Sequence, residues 1–160
     1  LGNSLESSSL IQMPFEPLKK TVDGLIRNAV ENTPDGGEIE ILVHQKKNGV
    51  EFAVKDHGIG LTREAQKRIF EGFFSTQETM NYSSKQPFAF NAGGKGADLL
   101  RMKIFSERFN FKISMTSKRC SRIPENKDAC PGSIQDCKKI AGPACDGYTI
   151  VTCFFPFPKN

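Results

Sequence analysis

The chain has 160 residues, about one domain's worth, and its 25% charged and 38% hydrophobic residues are an ordinary soluble mix. A net charge of +4, from 22 Lys and Arg against 18 Asp and Glu, is too slight to argue for nucleic acid, and no run approaches the roughly 18 apolar residues of a membrane span. The first residues are polar and Ser-rich, unlike a secretory signal, and a start at Leu1 reads as a piece of a longer protein.

Residues 1–13 read as a flexible lead-in and 14–160 as one domain. From Phe15, apolar residues fall at Leu18, Val22, Leu25, Ile26 and Ala29, the spacing of a helix with one buried face. Thr33-Pro34-Asp35-Gly36-Gly37 should end it. Ile39, Ile41 and Val43 alternate with polar residues as a half-buried strand does, Lys47-Asn48-Gly49 signals a hairpin turn, and Val50, Phe52 and Val54 form the return. Thr62 can cap a short helix through about Phe70. Residues 72–94 are polar and aperiodic despite Phe73, Phe74, Phe88 and Phe90. A stretch that long without structure is usually functional or mobile. Residues 96–109 read as a helix buried along Ala97, Leu100 and Ile104, followed by a strand at 111–117. A last strand, 148–155, is closed by Pro156 and Pro158. Residues 118–147 read as an insertion between two neighbouring strands. The expected fold is α+β, with helices covering one face of a mixed sheet.

Three segments carry chemistry. Asp56-x-Gly58-x-Gly60 sits where a strand ends. Glycines there let backbone approach a ligand or adopt positive φ, and the carboxylate can accept from an exocyclic amine such as that of adenine. The same pattern also makes a plain turn. Gly93-Gly94-Lys95-Gly96 precedes a helix, whose free N–H groups and dipole form an anion site to which Lys95 would add charge. A hinge is the alternative there, and no Gly-Lys-Ser/Thr P-loop is present. Asn28 lies late in the first helix. Its amide oxygen suits Mg²⁺, or it is simply bonded locally.

Taken in order, Asn28-Ala29, Thr33-Pro34-Asp35-Gly36-Gly37, Asp56-x-Gly58-x-Gly60, Phe70-x-x-Phe73-Phe74 and Gly94-x-Gly96 resemble the N, G1, F and G2 boxes of the catalytic ATP-binding domain of sensor histidine kinases. That family is shared with gyrase-type topoisomerases, the heat-shock-90 chaperones and the mismatch-repair ATPases. The resemblance spans about residues 14–105, with Tyr148 to Pro156 similar to the closing strand. It implies a two-layer α/β sandwich of the Bergerat type holding Mg·ATP under a lid at about 72–94. Asn28 would ligate Mg²⁺, Asp56 would read the adenine amine with Thr149 beside it, and Gly58 and Gly60 would make room for the nucleotide. Gly94, Lys95 and Gly96 would meet the phosphates, and Phe70, Phe73 and Phe74 would anchor the lid. It also implies a cytoplasmic domain that makes no direct membrane contact, a His-bearing dimerisation domain of the same protein as acceptor, and a response regulator downstream. Neither His44 nor His57 lies in an acceptor helix.

The departures are Gly24 where the family carries a polar or acidic residue, Asp98 where it has a third glycine, and Gln77 where the lid is usually basic. Gly24 cannot act as a base, so hydrolysis by the gyrase-like route is not expected. These departures also fit a degenerate nucleotide-binding, redox or interaction module, and a stand-alone Ser kinase of the anti-sigma type is a third reading. Cys120, Cys130, Cys137 and Cys145 punctuate the insertion at gaps of nine, six and seven residues, without a Cys-x-x-Cys pair. Free thiols in a loop, a metal site and a redox disulfide are all open there. Cys153 alternates with Val151 and Phe155 and reads as core. An odd total of five excludes complete pairing within one chain.

Overall fold

The structure is a computed structural model that describes residues 11–70, 97–123, 130–141 and 145–158. In chain order it contains α1 (Phe15–Asn32), β1 (Ile39–Lys46), β2 (Gly49–Asp56), α2 (Arg63–Arg68), α3 (Ala97–Phe109), β3 (Lys112–Lys118), α4 (Ile134–Ala141) and β4 (Tyr148–Pro156).

Helix α1 ends where its sequence says it must. The Thr33 hydroxyl and amide both donate to the Ala29 carbonyl, after which Thr33 turns extended ahead of Pro34. β1 and β2 form a hairpin in which Lys46 pairs with Gly49, so Lys47-Asn48 is the two-residue loop. The sheet order is β1-β2-β4-β3.

Every pairing between the described strands is antiparallel, which corrects the expectation of a mixed sheet. β3 does run in the same direction as β2, but β4 lies between them and pairs with both. The crossover that would make a parallel pair therefore spans one strand. The rest of the expected architecture holds: α1 packs on β2, α3 on β3, and the two helices on each other.

The main core lies between these layers. Leu25 and Ala29 of α1, Leu99 and Met102 of α3, Phe111, and Val54, Val151, Cys153 and Phe155 of the sheet form one buried cluster. Cys153 is fully buried, as its alternation predicts. The face of α3 is corrected by two positions. Leu99, Met102 and Ser106 are the buried residues, while Ile104 is exposed. Both sets have helical spacing, and the choice is made by α1, where Gly24 leaves room for Met102 and Asp98. The insertion is also more ordered than a plain loop. It contains α4, where the Ser133 hydroxyl accepts from the Gln135 amide, a weak local cap that composition alone hides.

Candidate functional site

Asp56 at the end of β2, Thr149 second in β4 and Ser117 next to last in β3 lie in one row across three adjacent strands. Asp56 pairs with Thr149, and Thr149 with Ser117. All three continue the core-facing alternation of their strands, so each is a polar group where a hydrocarbon is expected. Asp56 is 4% exposed. Its Oδ1 accepts from the Gly58 amide at 3.0 Å, and the Thr149 backbone also hydrogen-bonds to it. Burial pushes its pKa up to about 7 against those donors and the His57 charge. A carboxylate has about four lone-pair sites, so this one can take a further donor, and the incomplete compensation of its buried charge would favour one. This is the arrangement an adenine amine needs, and it fits the group.

Ser117 was not among the residues singled out from the sequence. Its hydroxyl donates to the Tyr148 carbonyl and accepts from the Leu61 amide, both at 2.8 Å, and it lies 3.0 Å from the Thr149 hydroxyl. The signal was there: Phe111, Ile113, Met115 and Ser117 share a face, and only the last is polar.

The two glycines of the turn answer first to the protein itself. A methyl group at Gly58 would overlap the Asn32 carbonyl oxygen at the end of α1. Gly60 has φ +66°, and a methyl group there would overlap the Lys118 carbonyl. The turn is thus wedged between α1 and the end of β3. Asn28 sits one helical turn before Asn32, half-buried. Asn32 Nδ2 donates to the Asn28 carbonyl at 2.7 Å and lies 3.4 Å from its Oδ1. That side-chain contact is long, so the Asn28 amide oxygen keeps acceptor capacity for a hard cation. Asn28, Asp56, Gly58, Gly60 and Thr149 therefore gather at one end of the sheet, under the C-terminal turn of α1. Phe70 is half-buried and packs against the main core. Phe73, Phe74, Gln77, Gly94, Lys95 and Gly96 lie outside the described residues, as does the expected lid.

The two departures on α1 and α3 face each other. The position a methyl group would take on Gly24 is 3.5 Å from Asp98 Cβ and 3.4 Å from Met102 Cε. The Asp98 carboxylate accepts from Arg27 at 3.1 Å and from Arg101 at 2.9 Å. Two guanidinium groups thus offset its charge. His57 Nε2 and Lys55 Nζ both contact Glu40 Oε1, at 2.7 and 2.6 Å, which holds the Glu40 carboxyl below its usual range. His44 is exposed, as expected.

A buried acid at a strand end, in a sandwich whose first helix bears an Asn, is what the sequence resemblance implies, and comparison with known proteins gives the family. The family described as histidine kinase-, DNA gyrase B- and HSP90-like ATPases matches residues 15–158, and the chain belongs to that family. Within it the similarity runs to histidine kinases. Sporulation kinase A of Bacillus subtilis is 41% identical over 61 residues, which are 38% of this chain and 10% of that protein. The sensor-like histidine kinase SenX3 of Mycolicibacterium smegmatis is 28% identical over 63% of this chain and 24% of its own length. The histidine protein kinase SaeS of Staphylococcus aureus is 30% identical over 63% and 27%. The chain spans about a quarter or less of these relatives. The mycobacterial sensor histidine kinase MprB shares the fold with a TM-score of 0.57 at 18% identity, over 92% of this chain and 75% of that one. The catalytic domain of the histidine kinase ThkA does so with 0.52 at 19%, over 90% and 69%. The chain is a histidine-kinase-type ATPase domain, and membership of that family implies ATP as its nucleotide. Among the described residues no helix is long and apolar enough to cross a membrane.

Proposed function

We propose that this chain binds Mg·ATP at the end of the sheet beneath α1 and presents the γ-phosphoryl group to a His on a separate helical dimerisation domain of the same protein, from which a response regulator takes it. The observation that carries this reading is the buried Asp56 carboxylate held beside Thr149 across two paired strands. Asp56 accepts the adenine amine, and Thr149 and Ser117 order the polar row around it. The Asn28 amide oxygen ligates Mg²⁺, which supplies charge neutralisation on the phosphates when bound. Phe70 and Phe74 anchor the lid, and Gly94, Lys95 and Gly96 receive the phosphates. Phosphoryl transfer of this kind is positioning plus charge neutralisation, and no residue of the chain is assigned as a catalytic base. The domain works in the cytoplasm, without nucleic acid or direct membrane contact.

The degenerate-module reading rests on Gly24, Asp98 and Gln77, of which Asp98 would set an extra carboxylate near the phosphates. The Arg27 and Arg101 contacts offset the Asp98 charge, which supports the kinase reading at that one position. The test is calorimetric titration with a non-hydrolysable ATP analogue, with and without Mg²⁺. Micromolar binding that strengthens with Mg²⁺ is expected, and Asn28→Ala should lose the Mg²⁺ response while still binding the nucleoside end. No binding at millimolar nucleotide would return the chain to the interaction-module reading.

A further inference from the structure

The insertion between β3 and β4 is fastened to the glycine turn of the candidate site. Ile59, Cys120 and Ile123 form a second buried cluster, separate from the main core, with Cys130 and Cys145 packed against it. The Cys120 amide donates to the Ile59 carbonyl at 2.7 Å. The Cys145 thiol donates to the Gly58 carbonyl at 3.4 Å. Gly147 passes so close that a methyl group there would lie 2.6 Å from the Gly58 carbonyl oxygen. The Cys145 side chain thus packs against the same small cluster that buries Cys120, near enough for the two thiols to feel each other electrostatically.

All of these thiols are free. Among the described residues no group of three or more His, Cys, Asp or Glu is arranged to hold a metal ion. Two thiols gathered in one small cluster, one of them serving as the donor to a carbonyl of the turn, can be joined at the expense of that donor.

We propose that Cys120 and Cys145 are an oxidisable pair whose conversion to a disulfide frees the Gly58 carbonyl, loosens the turn that follows Asp56, and weakens nucleotide binding. The oxidant is a small-molecule disulfide. Burial pushes the Cys145 thiol up to about 12, so the exchange is slow; the half-buried Cys145 sulfur, on losing its proton, attacks one sulfur of that disulfide and expels the other as a thiolate. The Cys120 sulfur then displaces the second small thiolate from Cys145. One internal S–S bond forms as one external S–S bond breaks, and the two protein protons end on the two small thiols released. The Cys145 S–H no longer exists, so the Gly58 carbonyl loses its donor. The nucleotide consequence rests on the function proposed above, whereas the thiol chemistry does not.

The experiment exposes the full chain to glutathione buffers of graded oxidation and reads three quantities. Intact mass should fall by two hydrogens with no glutathione retained, and proteolytic peptides should link Cys120 to Cys145. Amide exchange over residues 58–60 should quicken about tenfold, the mark of a lost local restraint. Affinity for the ATP analogue should fall roughly tenfold. Cys145→Ser should block the link and all of its consequences, and Cys120→Ala serves as the second variant if the first does not fold. A persistent glutathione adduct, a link through other cysteines, stoichiometric zinc in the reduced protein, or the expected link without faster exchange at the turn would each overturn the proposal. If the link forms and the turn loosens while neither form binds nucleotide, the thiol pair stands and the nucleotide reading falls.

Discussion

Asp56 is a carboxylic acid at a position that its strand otherwise gives to hydrocarbon, and its titration follows from that. An unfolded Asp loses its proton near pH 3.9, whereas burial pushes the folded group up to about 7. Between those values the folded chain holds a proton that the unfolded chain has released, so this group's contribution to stability falls as pH rises through the window. Full ionisation costs on the order of 4 kcal/mol. Asp56→Asn removes the titration and keeps an acceptor for the Gly58 amide. In urea unfolding the variant should be more stable than the parent at pH 8 and no more stable at pH 4. Equal midpoints at pH 8 would mean that the carboxylate is better solvated than its burial implies. Binding runs the other way, because an amine donor favours the ionised acid. Affinity for the ATP analogue should rise roughly tenfold from pH 6 to pH 8 in the parent and stay flat, and at least about tenfold weaker, in Asp56→Asn.

The pairing of α1 with α3 shows how much of an element can be read from sequence. The periodicity of α1 is unambiguous because Leu18, Leu25, Ile26 and Ala29 leave one apolar stripe, and the hairpin is fixed by alternation and its Asn-Gly. In α3, two faces of equal spacing compete, and the winner is set by a partner 71 residues away, where Arg27 receives Asp98. No local pattern contains that information. The same holds for the site. Asp56 and the glycines stand out as a motif, and Thr149 entered through its resemblance to a known strand. The wedge of the turn against Asn32 and Lys118 is a backbone encounter that side-chain identities do not announce. Gly24 looks from sequence like a defect in a helix. The structure gives it a looser constraint than that of Gly58, because a methyl group would meet its neighbours at 3.4–3.6 Å, ordinary van der Waals distances. Gly24→Ala should therefore stabilise the chain by about 0.5–1 kcal/mol through helix propensity, read as a higher melting temperature with nucleotide affinity unchanged. A lower melting temperature would mean that α1 and α3 are packed too tightly here to admit one methyl group.

At the scale of the whole molecule, two cores share one sheet. The main cluster between the helices and the strands does not include the insertion, and the smaller cluster under the glycine turn depends on it. The insertion reaches the sheet end at a second point as well. The Asp35 amide donates to the Gly132 carbonyl at 2.8 Å, and the Ile134 amide donates to the Asp35 carbonyl at 2.9 Å. It thereby ties the connection between α1 and β1 to the same end of the molecule as Ile59. β3 and β4 pair in register up to Lys118 and Tyr148, so an Asn-Gly turn in place of residues 119–147 would close them as an ordinary hairpin. Such a shortened chain should keep its main core and unfold cooperatively, with a dispersed amide spectrum and a lowered melting temperature. It should lose nucleotide binding, because Ile59 would be uncovered and Arg119 would no longer donate to the Gly60 carbonyl, a contact of 2.9 Å in the intact chain. Retained affinity would show that the turn holds its shape without the insertion and would confine the cysteines to a role away from the nucleotide. Collapse to a state without dispersed amides would show that the two cores fold as one, and that the insertion belongs to the folding unit.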